Sequence, residues 1–231
     1  MQSSCLEALC DVNSPPSRAV LLLLKCNNIP VQMLEIKRTP KLEREYSSEI
    51  PDTMPYPAII DHEKRLHLTG SSAILRYLCA RFELADHWYP RDIVARAKVD
   101  EYIAWHDANT KVAAASVYKL RIVQPKRMHI PVNEEELRRA RSRLDHVLHQ
   151  LVVTFLKDKD FLCSNEITIA DVLAICELAQ AVASGFAIGD GRPRLLAWIE
   201  RVKGQLPDFE KVHGSMEVKK PFRWLSMDSA M

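Results

Sequence analysis

Residues 56–80 read YPAIIDHEKRLHLTGSSAILRYLCA, and this stretch decides the fold class. The apolar run Ala58–Asp61 predicts a short strand, the polar letters DHEKR predict a turn, and Leu66–Leu68 predicts a second strand. Gly70-Ser71-Ser72 then opens an apolar helix over Ala73–Ala80. Two strands joined by a tight turn and followed by a helix predict a sheet with helices packed on it.

The residues before this stretch continue the same alternation. Leu6–Cys10 predicts a buried strand. Ser14-Pro15-Pro16 predicts a cap followed by prolines in a first helical turn, and Ala19–Lys25 continues this apolar helix, which ends at Asn27-Asn28. Val31–Ile36 predicts another strand, while Lys37–Glu49 is either helix or loop. The predicted order is β-α-β-α-β-β-α. Strands that alternate with helices in this way predict a mixed sheet covered by helices.

The rest of the chain predicts helices only. From Ile93 to about Trp224 apolar residues recur with the helical period, and few strand signals interrupt them. Pro125–Pro131 and Gly189–Pro193 are expected to separate helices. We therefore predict two domains, an α/β domain over residues 1–85 and an all-helical domain over residues 92–231.

Composition excludes several classes of protein. The 231 residues are 47% hydrophobic and 27% charged, with a formal net charge of +2. This charge is too small to indicate nucleic-acid binding, and the apolar run at 19–24 is far shorter than the ~20 residues that a membrane-spanning helix needs. The six cysteines form no CxxC pair, and the eight histidines show no paired ligand spacing. We expect a cytoplasmic protein without a metal site.

A helix start is marked in the second half of the chain. Thr168 is followed three residues later by Asp171, the spacing of a capping box, and Ile167 and Val172 fit a hydrophobic staple around it. This pattern predicts a structural role for both polar residues.

Ser14 lies between a predicted strand and a predicted helix, in the run Ser14-Pro15-Pro16-Ser17. The first amides and the positive dipole end of the helix point to this place, which therefore favours a bound anion such as a thiolate. The alternative is that Ser14 only caps the helix. The run matches the place and form of the C-x-P-C motif of thioredoxin-like folds, with hydroxyls in place of both sulfurs.

Two further places in the α/β domain have features of a binding site. Tyr56-Pro57 precedes the third predicted strand, where a proline is a candidate for a cis bond, although a trans turn is the alternative. Ser71 opens a helix, whose N-terminal amides could bind a carboxylate, and plain capping by Ser71 is compatible with this role.

Three longer runs resemble one family. HWYPRDIVARAKVDEYIAWH (87–106), EITIADVLAICEL (166–178) and GRPRLLAWIERV (191–202) look like cytosolic glutathione transferases of the theta class. The segment SPPSRAV and the segments around YPAI and LTGSSAILRYL fall at corresponding places. The resemblance covers nearly the whole chain and implies a thioredoxin-like N-terminal domain followed by an all-helical C-terminal domain.

The resemblance also implies roles for individual residues. Ser14 matches the catalytic serine whose hydroxyl hydrogen-bonds the glutathione sulfur. Tyr56 matches the residue whose backbone pairs with the cysteinyl part of glutathione, next to the cis-proline Pro57. Ser71 matches the residue that holds the γ-glutamyl carboxylate.

Four other positions are included with less regular matches. Gly70 stands where the family usually has Glu or Gln, and Pro55 stands in an altered approach to the cis-proline. Lys41 is the candidate for the glycyl end of glutathione, and Lys111 lies where theta enzymes often place an Arg facing the electrophile pocket in the helical domain.

By this resemblance the chain is a homodimeric enzyme of detoxification that conjugates glutathione to small electrophiles, with glutathione as co-substrate and no other cofactor. The alternative is a catalytically weak or inactive member that acts as a ligand-binding or scaffold protein, which Gly70 and the altered approach to Pro57 favour. A thiol oxidoreductase is disfavoured, because Ser14 and Ser17 stand where cysteines would act.

Overall fold

The computed structural model describes residues 5–35, 56–214 and 224. These residues form four strands and nine α-helices, in the order β1 (Leu6–Cys10), α1 (Pro15–Cys26), β2 (Gln32–Glu35), β3 (Ala58–Asp61), β4 (Leu66–Thr69), α2 (Ser71–Arg81), α3 (Ile93–Ala108), α4 (Thr110–Tyr118), α5 (Gln124–Arg127), α6 (Glu134–Gln150), α7 (Ile169–Ala183), α8 (Pro193–Gln205) and α9 (Phe209–Gly214). Two π-helical segments, Lys119–Val123 and Leu151–Leu156, follow α4 and α6.

Packing divides the chain into two units. The first comprises Met1–Trp88 with Leu206–Met216, and the second comprises Tyr89–Gln205 with Glu217–Met231. The helix α9 belongs to the first unit and packs against α1. The domain limits taken from the sequence remain a prediction.

The first unit is built on a four-stranded sheet with the strand order β2-β1-β3-β4. The strand β1 pairs in parallel with β2 across the α1 connection and antiparallel with β3, which pairs antiparallel with β4. Both central strands are buried, β1 apart from Glu7 and β3 along its whole length. The mixed sheet covered by helices that the sequence predicted is confirmed, as is the thioredoxin-like plus all-helical fold class.

Local sequence explains where α1 begins and ends. Pro15 and Pro16 occupy its first turn, where a missing N–H removes no hydrogen bond of the helix. Apolar residues from Ala19 to Leu24 are buried, which packs the helix firmly. The helix ends before Asn28, whose φ of 50° is a left-handed conformation that asparagine tolerates.

Most predicted elements of the first unit agree with the structure. The strands Leu6–Cys10 and Ala58–Asp61 are found over the predicted residues. The first helix is found as predicted, with Ser14 at its N-cap, both prolines in its first turn and Asn27 at its C-cap. The segment Lys37–Glu49, predicted as helix or loop, lies outside the described residues.

The helix α7 is the centre of the second unit. Every residue from Ile169 to Val182 is buried, and the helix packs against α3, α4 and α8. The predicted interruptions are confirmed, since α5 ends at Arg127 before α6 begins at Glu134, and α8 begins at Pro193. Among the described helices, none has the length and apolar character required to cross a membrane.

Candidate functional site

Three loops lie at the same end of the strands in the sheet of the first unit. Near the end of β1, Leu9 pairs with Ala58 at the start of β3. Ala58 pairs in turn with Thr69 at the end of β4. The chain leaves β1 toward Ser14, enters β3 from Tyr56 and leaves β4 toward Ser71. The register of the sheet therefore makes these loops neighbours, although they are far apart in sequence.

Ser14 is the N-cap residue of α1, with an extended backbone at φ −89° and ψ 123°. Its side chain forms no capping hydrogen bond. Such a side chain usually accepts from the second or third amide of the helix, and the second is missing here because Pro16 has no N–H. In the described part of the chain no residue is hydrogen-bonded to the Ser14 hydroxyl. The interpretation of Ser14 as a mere helix cap does not fit this structure, and a hydroxyl at the positive end of a helix dipole suits an anion.

Tyr56 and Pro57 form the second loop. The peptide bond between them is cis, as the sequence analysis anticipated. The half-buried Tyr56 side chain packs against the core cluster that includes Leu9 and Ala58. The carbonyl of Pro57 accepts a hydrogen bond from the N–H of Gly70 at 3.1 Å, which ties this loop to the start of α2.

Gly70 and Ser71 form the third loop. Gly70 has φ +83° and ψ 123°, a conformation that residues with a side chain rarely adopt. A Cβ atom at this position would contact no neighbour. Glycine is therefore favoured here by the backbone conformation and not by lack of space. Gly70 is the N-cap and Ser71 the first residue of α2, with no side-chain cap, which corrects the reading of Ser71 as the capping residue.

The remaining predicted site residues are placed differently. Lys41 and Pro55 lie outside the described residues. Lys111 lies on α4 of the second unit, where its exposed Nζ is 3.2 Å from Oδ1 of Asp107.

Thiol chemistry in the protein itself finds no support near Ser14. Burial, with a smaller effect of the Asp11 carboxylate, raises the pKa of the Cys10 thiol to about 12. A thiol with this pKa carries almost no thiolate at neutral pH and is a poor nucleophile. Throughout residues 5–35, 56–214 and 224, no group of three or more His, Cys, Asp and Glu side chains is arranged to hold a metal ion.

The predicted capping box at the start of α7 is confirmed and is part of a larger buried network. The Asp171 carboxylate accepts from the N–H of Thr168 at 2.9 Å and from its hydroxyl at 3.0 Å, and that hydroxyl accepts from the N–H of Ala170. The other carboxylate oxygen accepts from the N–H of Leu162 and from Nε1 of Trp198, both at 2.9 Å. Sequence reasoning missed these two partners, because they come from distant parts of the chain.

Two residues next to Ser14 were also missed as parts of the site. Ser17 and Arg18 are both fully buried, and both reach back to the loop between β1 and α1. The signal in the sequence was the position of Arg18 directly before the apolar run at 19–24, which placed a charged residue in a buried helix. An arginine is almost never fully buried unless it is paired, so this position indicated a hydrogen-bonded side chain.

Comparison with known proteins identifies the family of this chain. The family model described as "Glutathione S-transferase, N-terminal domain" matches residues 9–86, and the one described as "Glutathione S-transferase, C-terminal domain" matches residues 114–205. Glutathione S-transferase theta-2 of Mus musculus is 37% identical over 203 residues, which are 87% of this chain and 82% of the relative. The chain belongs to the glutathione S-transferase family.

Other relatives agree on the theta class of this transferase. Glutathione S-transferase theta-1 of Rattus norvegicus is 37% identical over 200 residues, 86% of this chain and 82% of the relative. Among solved structures, apo human glutathione-S-transferase T1-1 superposes with a TM-score of 0.85 at 33% identity, covering 90% of this chain and 88% of that one. Human glutathione transferase theta-2, in complex with glutathione and an unknown ligand, gives a TM-score of 0.82 at 34% identity over 90% and 86% of the two chains.

Proposed function

We propose that this transferase conjugates the thiolate of glutathione to small electrophiles, and that the Ser14 hydroxyl donates a hydrogen bond to the glutathione sulfur. The observation that carries the proposal is that this hydroxyl lies at the N-terminus of α1 and makes no capping hydrogen bond to the helix. The theta-class relatives, one of them solved with glutathione bound, support the same activity.

The chemistry requires an ionised sulfur. A free thiol with a pKa near 8.5 is only about 3% thiolate at pH 7. A donated hydrogen bond and the positive end of a helix dipole together lower such a pKa by ~2 units, which is ~2.7 kcal/mol of preferential stabilisation of the thiolate. The thiol proton passes to solvent, the sulfur forms a bond to the electrophilic carbon, and the leaving group departs with its electron pair.

The other two loops would hold the rest of the tripeptide. The backbone of Tyr56, before the cis-proline Pro57, is proposed to pair with the cysteinyl residue. The N-terminus of α2, with Gly70 and Ser71, is proposed to bind the γ-glutamyl carboxylate, since helix N-termini favour anions. Lys41 and Pro55 are proposed to complete the glutathione site.

The helical part of the chain is proposed to receive the electrophile. Lys111 is the proposed contact there, and its ion pair with Asp107 is exposed and weak enough to exchange for a ligand. A homodimer and a cytoplasmic location are further parts of this proposal, and size-exclusion chromatography with light scattering tests the first. Gly70 and the altered approach to Pro57 remain the sequence features behind the alternative of a non-catalytic scaffold, whereas the theta-class relatives favour the enzyme.

The deciding experiment compares Ser14→Ala with the wild-type chain in conjugation of an aralkyl halide. We expect kcat to fall by about a hundredfold or more, because the lost hydrogen bond and the displaced sulfur together remove ~3 kcal/mol of transition-state stabilisation. The pKa of bound glutathione, read from the ultraviolet absorbance of its thiolate against pH, should rise. Ser116→Ala, which deletes an exposed hydroxyl bonded only to the Val112 carbonyl, is the matched control.

Calorimetric titration with glutathione separates binding from chemistry. Ser71→Ala should weaken glutathione binding by ~1–3 kcal/mol, because a carboxylate loses one hydrogen bond. Ser14→Ala should affect binding much less than turnover, because only the ionised form of the bound thiol loses its hydrogen bond. Equal turnover by Ser14→Ala and wild type would refute the catalytic assignment, and binding of glutathione without turnover of any electrophile would establish the scaffold alternative.

A further inference from the structure

The first turn of α1 is connected to the loop that precedes it by two buried side chains. The Ser17 hydroxyl accepts a hydrogen bond from the N–H of Asp11 at 3.2 Å. The Nη1 group of Arg18 donates to the carbonyl of Val12 at 3.0 Å. Both Ser17 and Arg18 are 0% exposed, and their bonds to the partly buried loop are therefore shielded from water on the side of the helix.

The loop adds two hydrogen bonds of its own. The N–H of Asn13 donates to the Asp11 carboxylate at 2.9 Å, and the N–H of Ser14 donates to the Asp11 carbonyl at 2.9 Å. Asp11 therefore takes part in three hydrogen bonds of the loop, and in one of them its own N–H donates to the Ser17 hydroxyl. A shift of Asp11 would move Ser14 directly, since the two are joined by a hydrogen bond.

The ordinary way to fix a serine before a helix is absent at this position. An N-cap serine normally bonds with its side chain to an amide of the first turn. Here Pro15 and Pro16 have no N–H, and the Ser14 side chain makes no such bond. The side-chain bonds from the helix that hold the backbone before it are those of Ser17 to Asp11 and of Arg18 to Val12.

We propose that Ser17 and Arg18 are positioning residues for the Ser14 hydroxyl: they hold the loop from Asp11 to Ser14 so that this hydroxyl keeps its place at the positive end of α1 without spending its own hydrogen bond on the helix. The inference rests on the proposed function of Ser14. It assigns to the two residues a task that a cap would perform elsewhere, and it leaves the hydroxyl available for the sulfur.

The test uses Ser17→Ala in the full-length protein, because this change deletes one hydroxyl and no packing volume beyond it. A small displacement of a group that touches reacting atoms is costly, so kcat should fall by about tenfold while the KM for glutathione stays within about twofold. The pKa of bound glutathione should rise by about half a unit or more. Arg18→Lys, which keeps the charge and loses the planar fork, should act in the same direction.

Asn27→Ala is the matched control at the opposite end of the same helix. The Asn27 side chain donates to the Leu23 carbonyl at 2.9 Å, so its loss should lower the melting temperature to a similar degree and leave kcat and the pKa of bound glutathione unchanged. If Ser17→Ala behaves like Asn27→Ala in all three measurements, Ser17 is merely structural and the inference is wrong.

A double variant separates this inference from the proposed function. If Ser17 acts through Ser14, the change Ser17→Ala should have no further effect on the bound thiol pKa when Ser14 is already Ala. A full additional effect in that background would overturn the positioning role. Wild-type kinetics of Ser14→Ala alone would instead refute the proposed function.

Discussion

Removal of the Asp171 carboxylate is expected to destabilise the second unit more than any loss of an exposed helix cap. Asp171 is fully buried and accepts four hydrogen bonds, from the N–H and hydroxyl of Thr168, the N–H of Leu162 and Nε1 of Trp198. In Asp171→Ala the hydroxyl rotates toward another acceptor, but the three N–H groups have no replacement. The perturbation therefore creates three buried donors without acceptors.

The magnitude follows from these three donors. Each buried unsatisfied group costs about 1–3 kcal/mol, which gives about 3–9 kcal/mol in total. Water that enters the space of the lost carboxylate and relaxation of the helix end reduce this sum, and we expect a loss of about 4 kcal/mol in the free energy of unfolding. For a chain of this size such a loss lowers the melting temperature by about 8–16 °C.

Urea unfolding followed by far-ultraviolet circular dichroism and tryptophan fluorescence measures this loss. The matched control is Asp92→Ala, which removes an exposed N-cap carboxylate bonded to the N–H groups of Val94 and Ala95 at 3.1 and 2.8 Å. Water replaces that carboxylate, so we expect a loss of about 1 kcal/mol. If Asp171→Ala costs no more than Asp92→Ala, the reasoning from buried donors is refuted.

Two further predictions concern pH and the first unit. Burial lowers the pKa of His106 from 6.5 to about 4 and that of His213 from 6.5 to about 3. The folded protein therefore binds these protons less readily than the unfolded chain does. Stability that is fully present above pH 6.5 should fall as the pH drops toward 4, by up to about 1.4 kcal/mol per pH unit for each histidine. Urea midpoints at pH 7 and 5 measure this slope, which should flatten in His106→Asn and His213→Asn, and an unchanged slope in both variants would contradict it. Tyr77→Phe deletes the donor of a 2.7 Å hydrogen bond to the buried Asp61 carboxylate and should cost about 1.5–3 kcal/mol by the same assay, whereas a loss below about 0.5 kcal/mol would show that water replaces the phenol.

Local patterns in the sequence were sufficient for most elements of the fold. The strands Leu6–Cys10 and Ala58–Asp61 were predicted over their full length, because a short apolar run bounded by polar turn residues has few other conformations that bury it. The capping box of Thr168 and Asp171 was equally clear, since its spacing is a local property of a helix start. The start of α1 was predicted as well, since Ser14-Pro15-Pro16 has the form of a cap followed by prolines, which a helix accepts in its first turn.

The candidate site was predictable in part. The places of Ser14, Tyr56 and Ser71 at the ends of predicted elements indicated binding loops, and the motif resemblance assigned them roles. That Gly70 and not Ser71 is the cap of α2 depends on a backbone angle, which no residue pattern specified. The bracing of the loop by Ser17 and Arg18 was not predicted, because it joins side chains to backbone groups six residues away through a helix turn.

The amino-acid sequence by itself determined the order of the described strands and helices, most helix starts and the family to which the chain belongs, because these depend on apolar periodicity, capping residues and motifs within a few turns of chain. The tertiary structure alone decided which groups meet. The register of β1, β3 and β4 brings three separate loops to the same end of the strands. The packing of the second unit brings Leu162 and Trp198 to the buried carboxylate of Asp171. The physical reason is that a hydrogen bond between distant residues depends on how whole elements pack, and packing is a property of the assembled core rather than of any local stretch.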